Sequence, residues 1–174
     1  MEYREPSFET LVRSIVYQQL SGRVARVIFG RLVDAVPGGL SPEGILRLRA
    51  QRMRALGLSA QKTLYIRELA KCARCGSVTI EQLGTLEDEA VIAQLTQVKG
   101  IGVWTAQMFL MFALRRQNVL PVNDLGIRNA IRKAYGLTEL PSAREIETLA
   151  AAWRPYCTIA CWYLWRSLEN EALL

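Results

Sequence analysis

Val98-Lys99-Gly100-Ile101-Gly102-Val103-Trp104-Thr105-Ala106 is the stretch whose reading decides the fold. Glycines two residues apart allow positive φ and a very tight reversal of the chain. Upstream, residues 86–97 place apolar Ala90, Val91 and Leu95, with Val98 just beyond, behind Glu87, Asp88 and Glu89. That pattern predicts an amphipathic helix with acidic residues at its positive end. Downstream, residues 103–114 form an apolar run without glycine or proline, which predicts a second, largely buried helix. Residues 86–116 therefore read as helix, tight hairpin, helix. Amide groups in the hairpin and at the second helix's N-terminus carry partial positive charge and suit a phosphate. A Gly-x-Gly between two helices is also often only a tight connection, and the residues alone leave both readings open.

Working outward, helical spacing accounts for nearly the whole chain. Phe8, Leu11 and Ile15 predict a helix over 7–19, and Ser21 can cap a second that runs to about Val36 before Pro37-Gly38-Gly39. Ser41-Pro42-Glu43 restarts a short helix with proline in its first turn. Gly57-Leu58-Ser59 separates a helix over 47–56 from one over 60–72, whose inner face takes Leu64, Leu69 and Ala70. Residues 76–85 are a connection. Pro121 biases residues 118–123 towards an extended form, and a helix over 125–135 closes at Gly136. Ser142 caps a helix over 143–153, and Pro155 opens a last one reaching about Asn170. The expected fold is all-α, with two helical lobes and a cleft between them.

With 174 residues and a hydrophobic fraction of 51%, the chain fits one globular domain or one domain in two lobes. Lysine and arginine number 22 against 16 acidic residues, a net charge of +6, and the pI is near 9.4. That balance, mostly arginine, favours a polyanionic partner. No apolar span has membrane length and no signal-peptide pattern opens the chain, so neither membrane association nor export is expected. The expected compartment is the cytoplasm, at the nucleoid in a bacterium, or the nucleus in a eukaryote. Cys72 and Cys75 have ligand-like spacing, whereas Cys157 and Cys161 lie four apart in an apolar helix where small buried thiols are common. A four-thiolate metal site is the less favoured reading, and no metal ligands are assigned.

Asp124 follows the extended segment and begins a helix. The plainest role for an aspartate there is an N-cap, and the helix dipole favours its charged form. A charged carboxylate also suits a cationic transition state, and both roles can hold together.

Five segments in order, 8–21, 57–62, 98–106, 121–129 and 153–156, are similar to helix-hairpin-helix DNA glycosylases, whose Gly/Pro-rich loop ends in a catalytic aspartate. The chain most resembles the 3-methyladenine DNA glycosylase II branch. The resemblance implies one compact domain over 1–174, with the hairpin at 86–116, the catalytic loop at 118–126, and no N-terminal β domain. It implies a monomeric enzyme of base excision repair, acting on double-stranded DNA that contains alkylated bases. Alkylated purines such as 3-methyladenine would be flipped out and released by hydrolysis of the N-glycosidic bond.

By the same resemblance Asp124 is the catalytic residue, stabilising charge on the deoxyribose and orienting or deprotonating water. Trp104, Met108 and Trp153 would line the base pocket, although by residue type alone all three suit a core. Met108 stands where the bacterial member has an aromatic residue, which softens or widens the pocket. Gln19, with Leu20 as the second choice, would be the minor-groove wedge; two solvated glutamines, Gln18 and Gln19, are the alternative. Val98, Lys99, Gly100, Gly102 and Thr105 would hold DNA phosphate. Bifunctional relatives carry a Schiff-base lysine where Trp104 stands, so a monofunctional enzyme is expected. Asn123 replaces an additional aspartate found in relatives. No cofactor is required, the cysteine spacing of the iron–sulfur members is absent, and a monovalent cation at the hairpin is compatible but not demanded. The competing readings are a non-catalytic helix-hairpin-helix DNA-binding protein and a bifunctional glycosylase/lyase.

Overall fold

The structure, a computed structural model, describes residues 1–170. Among these there is no strand; ten α-helices and two 3₁₀ turns carry the chain. The chain divides into two compact units, Arg4–Phe109 and Met1–Tyr3 with Leu110–Leu174, and the division falls inside one helix.

The first unit is built around α5 (Ala60–Arg74), which packs against α1 (Phe8–Tyr17), α3 (Pro42–Arg47) and α4 (Ala50–Ala55), while α2 (Gly22–Asp34) packs on α1. Ser7 caps α1, Ser41 caps α3 and Ser59 caps α5, each hydroxyl accepting an amide N–H three residues on. Ser21 holds the N-cap position of α2 but makes no side-chain cap bond. Leu11, Val12, Ile15, Ile45, Met53 and Ile66 are buried completely. The expected helix over 47–56 is broken at Leu48, whose backbone is extended and whose carbonyl accepts from the Arg67 guanidinium at 2.7 Å. Leu64 is 43% exposed rather than inward-facing, because Thr63 takes the core position with Ile66 and Ala70. The expected connection 76–85 contains a 3₁₀ turn, Ile80–Thr85, before α6 (Asp88–Thr96) and α7 (Val103–Phe112).

In the second unit α8 (Leu125–Ala134) packs on α10 (Cys157–Asn170). Between them in the chain, α9 (Ala143–Ala150) starts with a reciprocal capping box of Ser142 and Glu145 and continues as a 3₁₀ turn, Ala151–Trp153. The last helix begins at Cys157, two residues after Pro155, and the Arg154–Pro155 peptide is cis.

Candidate nucleic-acid interface and catalytic carboxylate

The hairpin closes on its own backbone: Val98 N donates to Leu95 O at 3.1 Å and Ile101 N to Val98 O at 3.0 Å. Gly100 sits at φ +98°, and a Cβ there would fall 2.1 Å from the Tyr65 ring, so only glycine fits. Lys99 and Gly102 are exposed. The amides of Gly100, Gly102 and Val103 make no backbone hydrogen bond among the described residues. These are the groups that could meet a phosphate. Val98 and Thr105 are buried, so neither side chain can reach an external ligand, and the Val98 N–H is already used in closing the turn.

Gln18 and Gln19 lie past the end of α1, which stops at Tyr17 instead of running to Gln19. Lys62 explains the stop. Its Nζ donates to the carbonyls of Val16 at 2.7 Å and Gln18 at 2.6 Å, and burial lowers its pKa below the ordinary lysine value. Gln19 then takes a positive φ of 55°, exposed, with Leu20 exposed beside it. Gln18 does not fit the alternative of two merely solvated glutamines: it is half-buried, and its Nε2 donates to Gly100 O at 2.9 Å. Gln18, Gln19, Lys62, Tyr65, Gly100 and Gly102 line an open pocket of about 420 Å³ in this unit.

Trp104, on the first turn of α7, is 49% exposed, and Met108 one turn later is half-buried. A core role for Trp104 does not fit that exposure. Trp153 is half-buried in the second unit.

Asp124 also belongs to the second unit. The segment expected to be extended, 118–123, instead carries no regular structure to Pro121 and turns twice from Leu120 on, Val122 N donating to Leu120 O at 3.0 Å and Asp124 N to Pro121 O at 2.9 Å. Asp124 is the N-cap of α8, and its Oδ1 accepts from Ile127 N at 2.7 Å and from Trp165 Nε1 at 3.0 Å. Gly126 makes room for this arrangement, since a Cβ there would lie 3.0 Å from Asp124 Oδ1 and 3.1 Å from Trp165 Cδ1. Cys161 is buried, and its pKa is pushed up to about 12, first by desolvation and then by the charges of Cys157 and Asp124. The loop leading to Asp124 is held by buried Thr158. Its Oγ1 donates to Arg116 O at 2.7 Å and accepts from Val119 N at 3.1 Å, and its own N–H donates to Gln117 O. Among the described residues no cluster of three or more His, Cys, Asp or Glu could hold a metal ion.

Residues 12–155 match the family model described as HhH-GPD superfamily base excision DNA repair protein. The chain belongs to that superfamily. Within the HhH-GPD proteins it is 37% identical over 170 residues to DNA-3-methyladenine glycosylase 1 of Schizosaccharomyces pombe, covering 96% of this chain and 74% of the relative. Its fold superposes on the crystal structure of DNA-3-methyladenine glycosidase from Bacillus halodurans with a TM-score of 0.88 and 39% identity, over 98% of this chain and 79% of the other. A Schizosaccharomyces pombe 3-methyladenine DNA glycosylase in complex with abasic DNA matches at a TM-score of 0.81 and 36% identity, over 97% of this chain and 83% of that one. In this HhH-GPD chain the sequence reading named Asp124 but gave no role to Trp165, which bonds the carboxylate, to Gly126, which leaves room for that contact, or to Thr158, which holds the preceding loop. No spacing ties Trp165 or Thr158 to Asp124, which lies 41 and 34 residues away in the chain, although a half-buried indole N–H needs a hydrogen-bond partner.

Proposed function

We propose that this protein is a monofunctional DNA glycosylase that flips alkylated purines, 3-methyladenine among them, out of double-stranded DNA and hydrolyses their N-glycosidic bond. The observation that carries the reading is the Asp124 carboxylate, fixed at the start of α8 by Ile127 N and Trp165 Nε1 in a member of the base excision repair family. The bond from deoxyribose C1′ to the purine breaks with its electron pair leaving on the base. An alkylated purine is already cationic and so departs neutral without a strong general acid. The carboxylate stabilises the positive charge left on the sugar and orients or deprotonates the water that attacks C1′. Local pre-organisation of Asp124 by two donors keeps it in place while that charge develops.

Trp104, half exposed, offers a flat face on which an electron-poor base can stack, with Met108 one turn further along the same helix; Trp153 is given a base-contacting role by the family resemblance alone. Gln19, exposed at positive φ, with exposed Leu20 beside it as the second choice, fills the gap in the minor groove. Lys99 and the amides of Gly100 and Gly102 grip phosphate. The Val98 and Gly100 carbonyls each accept one hydrogen bond and keep a second lone pair, which suits a monovalent cation beside that phosphate. No step depends on the cation. With tryptophan in the place of a Schiff-base lysine, the product is an abasic site and the strand stays intact.

Incubation with methylated duplex DNA and chromatography of the released bases tests this reading. Release of alkylpurines is expected, with Asp124→Asn abolishing it while DNA binding persists. No release from folded protein defeats the proposal. Unchanged release by Asp124→Asn removes the assigned role of the carboxylate, and a borohydride-trapped protein–DNA adduct would show a lyase instead.

A further inference from the structure

The turn after α1 and the hairpin before α7 are remote in sequence, but both are held by α5. Lys62 Nζ takes the carbonyls of Val16 and Gln18, which lie where a helix end leaves acceptors without amide partners. A cation at a helix C-terminus is also favoured by the dipole. Once α1 is stopped there, Gln19 follows at φ 55° and Leu20 donates its N–H back to Tyr17 O. One turn along α5, the Tyr65 ring fills the space beside the Gly100 Cα. Gln18 then bridges the two, its side-chain amide reaching Gly100 O. The partly buried ammonium is thus solvated by main-chain oxygens of the very turn that presents Gln19 and Leu20.

We propose that Lys62 is a positioning residue for base flipping: by holding the Val16 and Gln18 carbonyls it fixes the backbone from which Gln19 and Leu20 enter the minor groove. Through Gln18 it also sets that wedge in register with the phosphate-gripping hairpin. The inference rests on the glycosylase reading and on the wedge role of Gln19 and Leu20. A lysine that merely stabilised α1 would affect all substrates alike. A lysine that positions the wedge matters only where the DNA stack must be opened.

The test compares base release under single-turnover conditions from two DNAs carrying the same alkylated purine, one fully paired and one with the lesion in a single-base bulge, where extrusion is already easy. Lys62→Met keeps the apolar stem and removes the donors. On the paired lesion it is expected to lose about 10- to 100-fold, as for a broken charged hydrogen-bond pair, and on the bulged lesion less than about 3-fold. Gln19→Ala should show the same split, and Lys62→Arg, which keeps charge and donors, should recover part of the loss. Melting curves confirm that the variants are folded, and Lys62→Gln carries the same comparison if Lys62→Met melts below the assay temperature. Equal losses on the two DNAs, or no loss on the paired one, with Gln19→Ala still showing the split, overturn the role of Lys62. Absence of the split in Gln19→Ala overturns the wedge reading beneath it. Absence of release by the unmodified protein overturns the glycosylase reading itself.

Discussion

Asp124 Oδ1 is shared between a main-chain amide and an indole, and the two donors have different jobs. The Ile127 amide is the ordinary cap bond of a helix start, present whether or not the residue does chemistry. The indole of Trp165 comes from α10 and restrains the carboxylate from a second direction. Trp165→Phe keeps an aromatic ring against Phe112, now 6.2 Å away between centroids, and deletes only the donor. A hydrogen bond to a charged group contributes about 1.5–3 kcal/mol, so release of alkylpurine should slow by up to roughly 10- to 100-fold and the melting temperature should fall by about a few degrees, with DNA affinity little changed. A variant rate equal to that of the unmodified protein, measured in single turnover, would mean that the indole does not orient the carboxylate.

Among the elements, the first residues of α10 act on a loop rather than on a helix partner. Thr158 is 3% exposed and satisfies Val119 N and Arg116 O with one hydroxyl. Thr158→Val preserves shape but leaves a buried amide without its acceptor, at an expected cost of about 1–3 kcal/mol. Thermal or urea unfolding measures that loss, and base release should fall further than stability does, because the same loop delivers Asp124. A loss below experimental error would show that the loop is held elsewhere. The element scale also separates what the sequence discloses from what it withholds. Helix starts were legible wherever a serine or aspartate caps locally, as at Ser7, Ser41, Ser59, Asp124 and Ser142. Ends and breaks set by remote side chains were not: Lys62 terminates α1 and Arg67 opens the chain at Leu48, and neither contact has a sequence spacing that announces it. Leu64 misled for a related reason, since a polar Thr63 occupies the inward position and leaves the leucine one residue step off the buried face. The catalytic candidate itself was readable, because a cap and a family motif coincide at Asp124; its tertiary supports were not.

Across the whole molecule, a net charge of +6 gives long-range attraction to a polyanion whatever its sequence. Binding to undamaged duplex should therefore weaken steeply with salt, log K falling linearly with log salt concentration. Lys99→Ala removes one exposed cation beside the hairpin amides and should reduce the magnitude of that slope by about 1 while weakening all duplexes alike. Fluorescence anisotropy over a salt series on several unrelated sequences measures both quantities. An unchanged slope would take Lys99 out of the phosphate contacts.

Position 100 is closed to any side chain by its positive φ and by the Tyr65 ring where a Cβ would stand. A reversal that can present only main chain at its tightest point has no means of reading letters. On the proposed phosphate contact it is a handle of one fixed shape, equally good on every stretch of intact duplex. Such a handle would let the protein move along intact duplex without sequence bias, and it would leave the telling of damaged bases from sound ones to residues elsewhere.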